Sequence, residues 1–286
     1  MIEIVTHSFI HAIKDTLNLL PVLFLAYLLM EALEHYEGGR LSTIIRKNKR
    51  LGPLFGALFG IIPQCGFSGG IAGLYAAGTV TAGTLVAVIL STSDEMLPIL
   101  ISSSVSLKFI TILLVSKLII GVVFGFIIDI ILRKNKAEKE ESIHEFCERE
   151  HCSCKDGVFL SALKHTLKIA IIILIVIFAL NICIELIPEK QLQAFLNLPV
   201  FSQIFASIIG LIPSCSVSVL LTNLYVSGAL GISPLLCGLL TNGGVALLVL
   251  YKANPNKKAN FFITLALFVI GIVAGSVGGL ILENIL

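Results

Sequence analysis

Apolar residues run through this chain in long blocks, and the polar residues that interrupt them are few and grouped. Leu17 to Met30, Phe109 to Ile128, Leu167 to Ile182 and Phe261 to Leu282 are nearly unbroken apolar runs, close to the ~20 residues that an α-helix needs to span a bilayer. Residues 10–33 and 109–132 read as membrane helices. Two other apolar stretches are interrupted. Residues 52–78 carry Pro53, Pro63 and glycines at 66, 69, 70 and 73. Proline removes an amide donor and glycine loosens the backbone, so this stretch predicts two half-helices meeting near Pro63-Gln64-Cys65-Gly66. Residues 80–101 are interrupted by the polar run Ser91-Thr92-Ser93-Asp94-Glu95 and then by Pro98.

The pattern occurs twice. Gly60-Ile61-Ile62-Pro63-Gln64-Cys65 returns as Gly210-Leu211-Ile212-Pro213-Ser214-Cys215, 150 positions later. With no gap, that offset matches ten of the 31 positions from 60 to 90. It also sets Ala12, Lys14, Thr16 and Leu17 on Ala162, Lys164, Thr166 and Leu167, and Gly121 and Gly125 on Gly271 and Gly275. A match this extended is an architectural duplication.

Composition fixes the environment. With 56% hydrophobic and 13% charged residues and a mean hydropathy of +0.99, the chain cannot cover itself with polar surface in water. No cleavable signal peptide is expected, because the first apolar run follows a mixed segment with His7, His11, Lys14 and Asp15. The seven cysteines, three of them in one hydrophilic loop, do not read as a disulfide framework in a loop that faces a reducing cytoplasm.

Charge gives the expected orientation. The loop 34–50 carries Arg40, Arg46, Lys47, Lys49 and Arg50, and the linker 133–157 carries six Lys or Arg; both are expected to be cytoplasmic. In the second half the bias falls on the opposite loops, with Lys190 alone in 184–200 but Lys252, Lys257 and Lys258 in 251–258. This is the signature of an inverted-topology repeat, with both termini outside. The ~50 residues between the basic loop and the poor loop at 102–108 are few for three full spans, so a re-entrant hairpin plus one broken helix fits. The expectation is an all-α integral membrane protein of two inverted repeats with about 8–10 membrane segments. Its divisions are a first repeat at 1–132, a cytoplasmic linker at 133–160 and a second repeat at 161–286.

In inverted-repeat carriers, discontinuous helices expose backbone groups to substrate near the midplane. Four breaks would converge here: Pro63-Gln64-Cys65, Ser91-Thr92-Ser93-Asp94, Pro213-Ser214-Cys215 and Thr241-Asn242-Gly243-Gly244. They offer the thiols of Cys65 and Cys215, the carboxylates of Asp94 and Glu95 and the amides of Gln64 and Asn242. Hydroxyls come from Ser68, Ser91, Thr92, Ser93, Ser214, Ser216, Ser218 and Thr241. Together these are a mixed hard and soft ligand set for a cation, with Cys65, Asp94, Cys215 and Asn242 as metal ligands. The offset places Asp94 on Gly244 and Glu95 on Val245, so the acid exists once. Asp94 would set the charge and could exchange a proton with substrate. A competing reading makes Cys65 and Cys215 small packing residues.

The linker carries His144, Cys147, His151, Cys152 and Cys154 among glutamates. Thiolate and imidazole at this spacing can hold a thiophilic ion, although a solvated charge run with reduced thiols accounts for it equally. Lys117, inside an apolar helix opposite Leu267, either balances an acid or snorkels to the interface. Tyr75 and Tyr225 match across the repeat and read chiefly as packing.

No phosphate loop, dinucleotide fingerprint or zinc-protease motif is present, and no nucleophile and base stand at readable spacing. Neither an enzyme, a cofactor nor a nucleic-acid partner is expected. Drive would come from an ion gradient such as a coupling proton, the membrane potential or a partner, and an oligomer is compatible with the chain.

The paired GIIPQCGFS and GLIPSCSVS elements, the STSDEMLP segment opposite TNGGVALL and the His- and Cys-bearing linker resemble the ten-span heavy-metal exporters related to arsenic efflux permeases. Some members of that group carry the label manganese transporter. The resemblance implies a multi-pass permease of a prokaryotic plasma membrane that exports a metal or metalloid. A small-anion or sulfur-compound permease and a non-transporting metal sensor are the alternatives.

Overall fold

The computed structural model describes residues 51–62, 65–93, 95–134 and 201–285, with scattered positions between 9 and 28 and between 159 and 178. Among them every regular element is an α-helix. The first half contributes α1 (Gly52–Gly60), α2 (Cys65–Ala76), α3 (Ala82–Ser91), α4 (Met96–Ser102) and α5 (Leu107–Lys134). The second contributes α6 (Phe201–Gly210), α7 (Ser216–Val226), α8 (Ile232–Thr241), α9 (Val245–Ala253) and α10 (Lys257–Ile285). Each helix of the second set begins within one residue of its counterpart plus 150.

Four segments are long and apolar enough to cross a membrane: Ala82–Ser102, Leu107–Leu132, Ile232–Ala253 and Lys257–Ile285. The chain is an all-α integral membrane protein. Burial sorts the four. The broken segments Ala82–Ser102 and Ile232–Ala253 are 71% and 89% buried, the unbroken ones only 28% and 33%. The broken segments therefore form the interior, and α5 and α10 present a face to lipid. On α5 the buried positions are Phe109, Ile110, Leu113, Lys117, Gly121, Gly125 and Ile128, while Val115, Ile119, Val123, Ile127 and Ile130 are exposed. Both sets recur at three or four residues, which gives one inward and one outward stripe.

Small residues set how closely these helices approach. A Cβ on Gly125 would stand 2.8 Å from both Gly83 O and Ala87 Cβ, and one on Gly275 would stand 2.7 Å from Cys237 Cα. The same contacts give directions. Gly121 lies against Ala87 and Ser91, and Gly125 against Gly83, so α3 and α5 are antiparallel. Gly271 lies against Thr241 and Gly279 against Ser233, so α8 and α10 are antiparallel too. Lys108 Nζ reaches Ile285 O at 3.5 Å, and Ile120 lies beside Gly278, so α5 and α10 run oppositely. It follows that α3 and α8 enter the bundle from opposite ends. The helical positions near the start of each half agree: Phe9 packs edge-on to Phe178 at 5.5 Å and Phe24 to Phe159 at 5.2 Å, again antiparallel.

The α1–α2 pair is a hairpin that returns to the end it came from. Gly52 lies against Thr84 and Gly60 against Ser91, so α1 runs parallel to α3. After α2, Thr79 N donates to Leu74 O at 2.9 Å across Gly78 at φ +70°, a compact left-handed cap. Too little chain remains before Ala82 for α2 to end anywhere but beside the start of α3. The second half repeats this, with Ala229 N on Leu224 O at 2.9 Å and Gly228 at φ +74°. The half-helices of the hairpins are thus re-entrant, and α4 and α9 complete the broken spans.

One anchor was not singled out from sequence. Asp129, late in α5, accepts from Thr81 Oγ1 at 2.7 Å and from Gly83 N at 2.8 Å, while Thr81 Oγ1 also accepts from Thr84 N at 3.1 Å. A carboxylate from a neighbouring helix thus caps the amino end of α3. Its counterpart in the second half is Gly279. Hydrogen bonds to a charged group contribute about 2 kcal/mol, so Asp129→Ala should lower the melting temperature of the purified protein by about 5 °C, as read by thermal unfolding in detergent.

A candidate site at the helix breaks

Described residues that flank the predicted breaks approach one another in the interior of the bundle. In the first half Ser93 Oγ donates to Ile61 O at 2.5 Å, tying the α3–α4 break to the tip of the first hairpin. In the second, Gly210 at the end of α6 packs on Thr241 and Gly238. The halves join where Gly243 lies against Ile89, at the carboxyl end of α3. Lys117, halfway along α5, donates from Nζ to Thr92 O and to Leu239 O.

Most of the predicted hydroxyls are buried, and their protons are already committed. Ser91 Oγ donates to Val88 O at 3.1 Å, Thr92 Oγ1 to the same carbonyl at 2.7 Å, and Thr241 Oγ1 to Cys237 O at 3.1 Å. Ser218 Oγ donates to Cys215 O at 2.8 Å. A hydroxyl used in this way keeps acceptor lone pairs, so these oxygens suit a cation or a donor-bearing ligand. Ser68 is 1% and Ser214 0% exposed, and Ser214 Oγ accepts from Ser216 N at 3.3 Å. Asn242 Oδ1 accepts from Gly244 N at 3.0 Å, which shapes the break before α9. There Gly244 stands at φ +48°, ψ −134°, a conformation that only glycine adopts readily.

Cys215 is a buried cysteine at the position just before α7, at the tip of the second hairpin. Glu95 is half-buried at the start of α4, with no side-chain cap of that helix. Gln64, Asp94, the side chain of Cys65, and His144, Cys147, His151, Cys152 and Cys154 lie outside the described residues. Among the described residues no three of His, Cys, Asp and Glu gather.

One sequence alternative is removed, and one residue is added. Lys117 does not snorkel: it is 1% exposed, and its ammonium donates to two backbone carbonyls among its polar contacts. Asn260, unremarked in the sequence, is fully buried; its Nδ2 donates to Asn254 O at 3.0 Å, and Asn254 Nδ2 donates to Asn260 Oδ1 at 2.7 Å. This pair locks the connection between α9 and α10. Tyr225 stacks on Phe109, with centroids 5.1 Å apart and planes 8° from parallel, which is packing.

Lipid-facing helices around broken, buried spans define a multi-pass α-helical membrane protein. A family model described as "Putative, 10TM heavy-metal exporter" matches residues 5–187, more than half of the chain, and the chain belongs to that family. No curated protein and no solved structure matches it.

Proposed function

We propose that this protein exports a thiophilic metal ion or metalloid across the plasma membrane, by alternating access at the four breaks. The observation that carries the reading is the meeting of α3 and α8, from opposite ends, at a buried polar centre. Discontinuous helices of this kind expose backbone groups that an unbroken span would satisfy internally. The antiparallel relation of the repeat-equivalent helices supports an inverted repeat in the bilayer. Charge supports the orientation. The basic loops 34–50, 133–157 and 251–258 all join the end of the bundle that holds the first hairpin's base, so that end faces the cytoplasm and both termini face outward.

Within the site, Cys215 and its repeat partner Cys65 supply soft ligands, Asn242 and the serine and threonine oxygens supply hard ones, and Asp94 supplies charge and a place for a coupling proton. Gln64, Ser68 and Glu95 border the same breaks. A thiophilic cargo is preferred to manganese because the buried donor at the second hairpin tip is a thiol, whereas a hard divalent ion asks for several carboxylates. His144, Cys147, His151, Cys152 and Cys154 would collect metal on the loading side. A second reading, a small-anion permease, draws on the buried ammonium of Lys117.

Inside-out vesicles offered manganese, cadmium, arsenite or thiosulfate separate these. Arsenite or cadmium should accumulate, and Cys65→Ser with Cys215→Ser should reduce uptake by at least ~10-fold. Manganese uptake that survives loss of both thiols would replace the thiophilic cargo with a hard one. Thiosulfate uptake alone would favour the anion permease.

A further inference from the structure

Two broken spans aim their carboxyl ends at one point. α3 and α8 come from opposite ends of the bundle and stop in its interior, each with roughly half an elementary negative charge at its carboxyl end. Lys117 Nζ sits at that point. It donates to Thr92 O, just past α3, and at 3.2 Å to Leu239 O, in the last turn of α8. Thr92 belongs to one half and Leu239 to the other, so the ammonium bridges the halves. These two carbonyls are not its only polar interactions.

Unwound carbonyls and half-helix carboxyl ends are where carriers with broken helices coordinate a coupling cation such as Na⁺. We propose that the ammonium of Lys117 permanently occupies such a cation site: the chain supplies its own monovalent cation on an alkyl stem, in place of a soluble ion. The corresponding position in the second half is Leu267, so the site is filled from one half only. Removing the ammonium while leaving room for an ion should turn the junction into a site for a soluble monovalent cation.

The test is the melting temperature of the purified full chain in chloride salts of choline, lithium, sodium, potassium and ammonium at equal ionic strength and pH. Wild type should melt alike in all five. Lys117→Met, which fills the space without charge, should melt about 10 °C lower and ignore the cation. Lys117→Ala should lose as much in choline but regain about 5 °C, saturably, in sodium or ammonium. A Lys117→Met protein as stable as wild type overturns the proposal. So does a Lys117→Ala protein that answers to no cation more than wild type does.

Should neither variant survive extraction, Lys117→Arg and Lys117→Gln decide. Arginine keeps the charge, and glutamine keeps only a donor. Stability near wild type for the arginine variant alone supports a tethered cation; equal stability of the two overturns it. The link to transport rests on the function proposed above: flux should be sodium-independent in wild type and sodium-dependent in Lys117→Ala. If wild type carries no flux, that function fails while the melting comparison still decides the site.

Discussion

Gly275→Val is expected to leave almost no folded protein in the membrane. A Cβ at Gly275 would lie 2.6 Å from Cys237 Sγ, 2.7 Å from Cys237 Cα and 2.8 Å from Cys237 N. Two of those three atoms are backbone in the middle of α8, so no rotamer change relieves the clash. α8 and α10 would have to separate along their whole interface, and α8 also carries Leu239 and Thr241 into the centre. Overpacking of this kind costs about 3 kcal/mol or more, a large part of a marginal stability. Two controls grade the effect. At Gly278 the nearest atom is Leu236 Cδ2 at 2.9 Å, a flexible side-chain tip, so Gly278→Ala should be milder. Val273 is 54% exposed on the lipid side, so Val273→Leu should be neutral. Size-exclusion profiles of tagged membrane extracts would read all three, and a monodisperse Gly275→Val peak at wild-type height would refute the packing argument.

Asp94→Asn should abolish flux without reducing the amount of folded protein. The chain places Asp94 between Ser93, whose hydroxyl holds the first hairpin tip, and Glu95 at the start of α4. Its counterpart in the second half is Gly244, so no symmetry-related acid can substitute for it. Asparagine keeps the size and one acceptor but removes the charge and the exchangeable proton. A proton-transfer role implies a loss of at least about 100-fold in vesicle uptake, at matched expression. Full flux in this variant would end the role proposed for the acid.

The breaks were legible because their cause is local. Pro63 and Pro213 cannot continue a hydrogen-bonded ladder, and the polar runs at 91–95 and 241–244 are too costly to face lipid. Chain length favoured a re-entrant hairpin but left full spans open, and the contacts of Gly52 with Thr84 and of Gly60 with Ser91 give the hairpin its direction. What sequence could not resolve depends on rotamers and neighbours. A lysine in an apolar helix reads the same whether it snorkels or is buried, and only the carbonyls of Thr92 and Leu239 decide for Lys117. Asp129 was not singled out, because its role appears only when α3 is seen to begin beside it. The hydroxyls were located but not their bonds, since back-bonding to Val88 O or Cys237 O is a choice of χ1.

The junction at Lys117 bears on why both halves share one polypeptide. Were the protein a dimer of identical first halves, position 267 would be a second lysine, aimed at the carbonyls of the residues equivalent to Thr92 and Leu239. Those equivalents are Asn242 and Ile89, and Gly243 packs directly on Ile89. Two ammonium groups would then crowd a single buried centre, and like charges in a low dielectric repel strongly. Strict twofold symmetry forces every off-axis charge to come in pairs. Covalent fusion lifts that rule, letting Leu267 drift away from Lys117, so that a charge carried by one half alone becomes physically attainable.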